Sequence, residues 1–305
     1  MRTHLSLPLC GLAMLFACES SAPSPNSPTP GADAAPPSAD GSTPEDAGST
    51  AKPEAGTDAA SVAPQKEVEP NNGSTATDVG SMEIPGQMTG ALDPANDVDI
   101  FAINVSAGEF YEWTLTPSGA DLAPHLTVFD TASNSKNPTR LVAGAPGKAS
   151  TLSHFVLQDG SFVAAVRDSR NVPKGTGVGG AGFGYVLEAK KVAASPTSVT
   201  FPSTKSGKLA SLGALDLYTF DAVANTGFDI VLRAARKTPA STLDSRMSLF
   251  DKSTNKVLIT NDDASGTSDS QVGGTLPSTG SYIVVIESEG TDAADLSYEL
   301  EFKLR

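Results

Sequence analysis

Short runs of alternating apolar and polar residues recur along the chain from residue 67 to the C-terminus. Each run is bounded by Gly, Pro, Asn or Asp, and no stretch keeps the apolar spacing of an α-helix over three turns. Clear examples in the first half are Ile100–Val105, Phe110–Leu115, Leu126–Phe129 and Phe162–Val166. This pattern predicts an all-β fold of the sandwich or jelly-roll type.

The same region contains an internal repeat. Four segments of the first half reappear in the same order in the second half, 113 to 121 residues later. A period this long fits two whole domains rather than a solenoid. We therefore predict two tandem sandwich domains, 67–194 and 195–305, with a boundary at Ala194-Ser195-Pro196. The matching pairs are Asp99–Ile103 with Asp216–Phe220, His125–Asp130 with Arg246–Asp251, Gly160–Val163 with Gly280–Ile283, and Tyr185–Lys190 with Tyr298–Lys303.

The first 18 residues are typical of an export signal. The apolar run Leu5–Ala17 is too short to cross a bilayer as a helix, which favours a cleaved signal peptide. It ends in Leu15-Phe16-Ala17-Cys18, which resembles the lipobox of bacterial lipoproteins. The resemblance implies that Cys18 is lipidated and that the chain is membrane-anchored. Glu19 favours the outer membrane, facing either the surface or the periplasm. The alternative is an ordinary secretory signal in which Cys18 is incidental.

Residues 19–66 form a segment of low complexity. Of its 48 residues, 36 are Ala, Pro, Ser, Thr or Gly, and nine are Pro. Such a composition buries too little apolar surface to offset the entropy of ordering, so we predict a disordered linker.

Charge and residue usage exclude several functions. Acidic residues outnumber basic ones by 35 to 21, a net charge of -14, which disfavours nucleic acid as a partner. Two Cys and three His leave little for a thiol-based fold or a zinc site. No hydrolase motif is present, and His125 and His154 read as ordinary strand residues, so we predict a noncatalytic protein. The glycine run 175–180 has neither a strand before it nor a helix after it, and predicts a hairpin loop.

The sequence resembles the bacterial pre-peptidase C-terminal (PPC) domain. The first half carries Glu67-Val-Glu-Pro-Asn-Asn72, Gly90 and Asn96-Asp-Val-Asp-Ile-Phe101, and the second half carries Asn261-Asp-Asp263 and Gly280-Ser-Tyr-Ile-Val-Val285. The resemblance implies noncatalytic β-sandwich modules of the kind found behind secreted proteases. Some collagenase members of the family bind calcium and matrix proteins.

The opening motif is also a candidate calcium site. Ca²⁺ takes six to eight oxygen ligands, and alternate residues of an extended segment lie on one side. The alternative is a metal-free loop in which Asn and Asp are turn formers. No such motif precedes Lys208, so a second site is not expected, and Asn261, Asp262, Asp263 and Asp269 read as a solvated connection. The resemblance implies the ligands Glu67, Glu69, Asn71, Asn72, Asp97 and Asp99, with Asn96 as a less certain member.

These features together predict a cell-envelope lipoprotein that presents two PPC-like binding modules, the first stabilised by calcium. Its partners would be the membrane, through the lipid anchor, and an extracellular protein or polysaccharide. The alternatives are an envelope scaffold without a ligand, an accessory subunit of a secreted protease, or a hydrolase with an unrecognised site. Tyr111 and Trp113 share a strand face, which favours a core position over a carbohydrate-stacking surface.

Overall fold

A computed structural model shows two β-sandwiches in succession. It describes residues 63–71, 78–132, 139–172, 177–264, 266–291 and 293–305. The first sandwich consists of β1 (Gln65–Lys66), β2 (Gly80–Ser81), β3 (Gly86–Ala91), β4 (Asp99–Val105), β5 (Phe110–Pro117), β6 (Pro124–Asp130), β7 (Arg140–Ala143), β8 (Ser150–Phe155), β9 (Gly160–Asp168) and β10 (Gly184–Val192). One 3-10 turn, Ser169–Asn171, follows β9.

The second sandwich repeats this order of strands. It consists of β11 (Thr197–Ser198), β12 (Ser203–Lys208), β13 (Leu215–Ala222), β14 (Gly227–Arg233), β15 (Ser245–Asp251), β16 (Lys256–Asn261), β17 (Gln271–Thr275), β18 (Gly280–Ser288) and β19 (Ser297–Leu304).

Each sandwich has two sheets with matching topology. In the first, the sheets run β1-β3-β10-β5-β8 and β2-β4-β9-β6-β7; in the second, β12-β19-β14-β17 and β11-β13-β18-β15-β16. Strands β2 to β10 therefore correspond one to one with β11 to β19. The all-β tandem fold predicted from the sequence is confirmed. The first strand, Gln65–Lys66, falls inside the predicted linker 19–66. These two residues form a strand because they pair with Met88–Thr89 of β3.

A separate hydrophobic core fills each sandwich, because alternate residues of every long strand point inward. Tyr111, Trp113 and Leu115 are almost fully buried in the first core. The interpretation of this aromatic pair as core is confirmed, and the alternative of a carbohydrate-stacking surface is wrong.

A third apolar cluster joins the two sandwiches. Phe155 of β8 packs edge-to-face on Phe250 of β15, with ring centroids 5.2 Å apart. Beside this contact, the buried Arg140 donates to the carbonyl oxygens of Gly213 and Ala214 and lies 3.7 Å from Glu287. The contact between the sandwiches is therefore built from apolar, hydrogen-bonded and ionic parts.

Several sequence-based predictions concern residues outside the described ranges. These are the signal peptide, Cys18, the linker up to residue 62, Asn72, and Gly175 of the glycine run. Within the described ranges, no helix has the length and apolar character needed to span a membrane.

Candidate metal centre

The opening segment Glu67–Asn71 crosses from one sheet of the first sandwich to the other. The backbone N–H of Glu67 donates to the carbonyl oxygen of Thr89 on β3, 3.0 Å away. At the other end, the carbonyl oxygen of Asn71 accepts from the N–H of Ile100 on β4, at 2.8 Å. The segment is therefore held by backbone hydrogen bonds at both ends, one to each sheet.

Three carboxylates converge at this crossing. Glu67, Glu69 and Asp99 each offer an oxygen within 4.8 Å of the others. Asp99 is fully buried, Glu67 is half-buried and Glu69 is exposed, so the cluster opens to solvent on the Glu69 side. No lysine, arginine or histidine forms an ion pair with any of the three among the described residues.

The tyrosine hydroxyl of Tyr185 lies at the buried end of the cluster. Its oxygen is 2.6 Å from Asp99 Oδ2 and 3.1 Å from Glu67 Oε2. A phenol has one proton to donate, so it bridges both groups fully only when one of the carboxyls is protonated and donates to the phenol oxygen. Burial, aided by the charges of Glu67 and Asp97 and opposed by the Tyr185 hydrogen bond, raises the pKa of Asp99 to about 9. The buried carboxyl thus needs either a proton or a cation beside it.

The side-chain amide of Asn71 is fully buried against the same carboxylates. One of its terminal atoms is 2.8 Å from Asp99 Oδ1 and 3.3 Å from Glu69 Oε2. If that atom is the nitrogen, it donates to both acids and the cluster is partly satisfied without a metal. If it is the oxygen, it adds a neutral ligand to three carboxylates. Oxygen and nitrogen are assigned from their surroundings, so the orientation of this amide depends on whether a cation is bound.

Asp97 lies next to the cluster but outside its closest group. Its Oδ1 accepts from the N–H of Val98 at 2.9 Å, while its Oδ2 is buried and has no hydrogen-bond partner among the described residues. Burial raises the pKa of Asp97, and burial together with the charge of Asp97 raises the pKa of Glu69. Asn96 has a left-handed backbone (φ 66°), and its N–H donates to the carbonyl oxygen of Val178. Asn96 therefore serves the turn by its backbone.

The structure brings together four of the residues proposed as ligands: Glu67, Glu69, Asn71 and Asp99. Sequence reasoning missed Tyr185 as a part of the site, although it anchors the repeat together with Tyr298. Gly90 leaves room for both side chains, because a Cβ there would overlap Glu67 Oε2 and lie 2.5 Å from the Tyr185 hydroxyl.

The glycine run positions the loop that precedes β4. The N–H of Gly180 donates to the carbonyl oxygen of Leu92, and a Cβ on Gly179 would lie 2.6 Å from the carbonyl oxygen of Pro94. Gly179 also has a positive φ of 152°. Small residues therefore allow this loop to pack closely on residues 92–96.

The donor set fits a hard divalent cation. Ca²⁺ binds carboxylate and amide oxygens in flexible geometry, whereas structural zinc sites use Cys and His, which are lacking in this cluster. The structure thus shows an oxygen-lined, half-open and strongly acidic crossing.

The second sandwich replaces the cluster with tyrosines. Asp216, at the position of Asp99, accepts from the hydroxyl of Tyr298, which lies 2.8 Å from the hydroxyl of Tyr218. Burial raises the pKa of Asp216. Gly207 leaves room for Tyr298, as Gly90 does for Tyr185. The repeat therefore keeps the buried acid and its tyrosine but lacks the converging glutamates.

His154 and Asp269 lie outside this cluster, and both are fully buried. Burial lowers the pKa of His154 to about 3, and neither ring nitrogen has a hydrogen-bond partner within the part of the chain that the structure describes. Asp269 was read as part of a solvated connection, which is wrong. It is fully buried and accepts hydrogen bonds from the backbone N–H of Ala234 and Ala235 and from Arg236.

Comparison with known proteins gives structural similarities only. No family model and no curated protein matches the sequence. Among solved structures, the pre-peptidase C-terminal domain of a collagenase from Bacillus anthracis is 17% identical, with 37% of this chain and 98% of that chain covered and a TM-score of 0.29. A periplasmic inhibitor of g-type lysozyme from Aeromonas hydrophila is 14% identical, with 36% and 96% covered and a TM-score of 0.29. Tandem carbohydrate-binding modules of a family 98 glycoside hydrolase from Streptococcus pneumoniae are 12% identical, with 68% and 81% covered and a TM-score of 0.23.

Proposed function

We propose that this chain is a noncatalytic envelope lipoprotein that presents two PPC-like binding modules, the first of them stabilised by Ca²⁺. The observation that supports calcium is the convergence of Glu67, Glu69 and Asp99 within 4.8 Å, around the buried amide of Asn71. Like charges this close oppose one another unless a proton or a cation lies between them.

The four clustered residues would hold the ion, with Asp97 as a nearby negative charge. A bound Ca²⁺ supplies the positive charge that the described cluster lacks and accepts both carboxylate and amide oxygens. Because Glu67 belongs to the crossing segment and Asp99 to β4, the ion would tie that segment to the sheet beneath it. In this role calcium would stabilise the first sandwich rather than take part in a reaction.

Thermal unfolding of the purified chain tests calcium binding. At a free Ca²⁺ concentration 100 times the Kd, binding stabilises the folded state by about 2.7 kcal/mol. For a sandwich of this size, we expect the melting temperature to rise by about 10 °C over that in excess chelator. The double variant Glu69→Ala, Asp99→Ala should lose this rise.

The second sandwich provides a matched control. Asp216→Asn removes the equivalent buried acid where the glutamates are lacking, so it should leave the calcium-dependent rise intact. A wild-type protein that melts at the same temperature in calcium and in chelator would refute the metal site.

The remaining parts of the proposal have separate tests. A lipid anchor at Cys18 predicts that Cys18→Ser moves the protein from the membrane fraction to the soluble fraction. A noncatalytic role predicts no turnover on a panel of ester, peptide and glycoside substrates. Binding of a protein or polysaccharide partner predicts retention on matrix-protein or glycan arrays.

A further inference from the structure

The contact between the two sandwiches buries the outer face of the sheet β11-β13-β18-β15-β16. On the second sandwich, this face carries Leu217, Phe250, Ile283 and Val285, all nearly fully buried. They are covered by an apolar end of the first sandwich, which is formed by Ala107, Phe110, Phe155 and Leu157. The outer face of the second sandwich is therefore a docking surface for the end of a sandwich.

The first sandwich presents the equivalent face outside every hydrophobic cluster of the described residues. By strand correspondence, Ile100, Phe129, Val163 and Ala165 occupy the positions of Leu217, Phe250, Ile283 and Val285. Ile100 and Phe129 are half-buried, whereas the smaller Val163 and Ala165 are buried. On the neighbouring edge strand β7, Leu141 is 41% exposed. We call this surface the open face.

The open face also carries a cation where the covered face carries an acid. Arg167 occupies the position of Glu287, the residue that faces Arg140 across the internal contact. Within the described parts of the chain, Arg167 forms no ion pair, and its Nε is buried without a hydrogen-bond partner. A partner that covers the open face should therefore bring a carboxylate.

The far end of the second sandwich offers a complementary groove. A groove of about 420 Å³ opens between its two sheets, floored by Phe201, Phe220, Phe228 and Leu276. Val223 and Leu304 line it while being 65% and 56% exposed, and the exposed acid Asp221 also lines it. We call this surface the groove end.

At the equivalent end of the first sandwich, next to Phe110 of the apolar covering surface, polar side chains close the gap between the two sheets. There, Glu109 accepts from the Tyr111 hydroxyl at 2.7 Å and from Lys191 Nζ at 2.6 Å. The second sandwich has Phe228 and Leu304 in the positions of Tyr111 and Lys191, so its end remains apolar and open.

We propose that the open face of one copy of this chain docks on the groove end of a second copy. Leu141 and Phe129 would enter the groove, and Arg167 would pair with Asp221. A face-to-face dimer is disfavoured, because it would bring two unpaired Arg167 side chains together. The contact joins unlike surfaces, so it leads to a ring or to a linear chain of copies.

This contact would not repeat the internal one. Phe110, Phe155 and Leu157 of the covering end correspond to Gly227, Thr275 and Pro277 in the second sandwich. The groove end thus lacks the protruding apolar side chains of the first sandwich and receives side chains instead. The proposal goes beyond the binding function proposed above and does not depend on calcium.

The oligomeric state of the purified chain, measured by sedimentation velocity and light scattering, tests the proposal. Wild-type mass should rise with concentration past two chains. The face variant Leu141→Asp, Arg167→Glu and the end variant Val223→Asp, Leu304→Asp should each weaken self-association at least about tenfold. An equimolar mixture of the two should form a dimer and stop there, because each variant keeps one intact surface.

The controls make each outcome decisive. Val172→Asp changes an exposed apolar residue outside both surfaces and should leave the association unchanged. The single variants Arg167→Glu and Asp221→Arg should each weaken association, and a mixture of the two should regain it through the reversed pair. A wild-type chain that remains monomeric at high micromolar concentration would overturn the proposal. So would variants that associate as the wild type does, or a mixture that does not form the dimer.

Discussion

The buried ion pair between the sandwiches leads to a quantitative prediction. Arg140 and Glu287 are each 2% exposed, with 3.7 Å between their charged atoms. Arg140 also donates to the carbonyl oxygens of Ser153, Gly213 and Ala214. Arg140→Met would leave three carbonyls, that of Gly213 buried and the others partly buried, without this donor, and Glu287 without its ion-pair partner. Breaking a buried pair from one side costs about 3–5 kcal/mol, and we expect a loss of this size.

Substitution of Glu287 should cost less stability than substitution of Arg140. Neither oxygen of Glu287 accepts a hydrogen bond from any described residue, and burial raises its pKa despite the nearby cations Arg140 and Arg246. Glu287→Gln keeps the shape and leaves Arg140 its carbonyl partners. We therefore expect it to lower the free energy of unfolding by about 2 kcal/mol less than Arg140→Met does. The double variant Arg140→Met, Glu287→Leu should recover much of the stability, because apolar groups of similar volume can replace a buried ion pair.

Urea unfolding followed by two probes measures both the cost and its location. Trp113 is the one tryptophan of the chain and lies in the first core, whereas circular dichroism reports both sandwiches. The two curves should coincide in the wild type and separate in Arg140→Met, because the second sandwich loses its docked neighbour. A loss below about 1 kcal/mol, or curves that still coincide, would refute this account of the interface.

Two further predictions concern buried titratable groups. Burial and the charge of Arg140 lower the pKa of His154 from 6.5 to about 3, so the folded state resists protonation. Stability should therefore fall as pH drops below 6.5, by up to about 1.4 kcal/mol per unit and about 2 kcal/mol at pH 5. His154→Leu should flatten this slope in urea midpoints measured between pH 7 and pH 5, and an unchanged slope would contradict it. Burial raises the pKa of Asp269, but hydrogen bonds from Arg236 and backbone N–H groups outweigh it and lower the pKa overall, so its contribution is lost only below pH 4. Asp269→Asn should lower the free energy of unfolding by about 2 kcal/mol at neutral pH. The exposed control Asp262→Asn should lower it by less than about 0.5 kcal/mol, and equal effects would contradict the role of Asp269.

The fold could be predicted because its signals are local. Strands such as β4 and β6 alternate apolar and polar residues, and the repeat fixed their order in both halves. The contact between the sandwiches could not be predicted in this way. Phe155 and Phe250 read simply as strand residues, and only the packing shows that they point outward toward each other. Arg140 gave no signal, since a lone arginine at the start of a strand is usually solvated.

The candidate site was predictable in its ligands but not in its support. The opening segment carries carboxylate and amide side chains close together in sequence. Because their oxygen atoms suit a cation, they can be recognised as candidates from residue type and spacing alone. Tyr185 lies 118 residues after Glu67, and no local pattern joins the two. Asp269 was misread for a similar reason, because its partners Ala234 and Arg236 come from a distant turn.

The tyrosine pair in the second sandwich has a consequence for how the duplicated halves depend on their surroundings. Asp216 accepts a hydrogen bond from Tyr298, whose hydroxyl is hydrogen-bonded in turn to that of Tyr218, so the polypeptide itself provides its partner. Its environment is thus complete as soon as the strands assemble, whatever ions the surrounding fluid contains. If the first half binds Ca²⁺ as we propose, the duplicated halves differ in what completes them, one an external ion and the other its own side chains. Depletion of that ion would then leave the second half ordered.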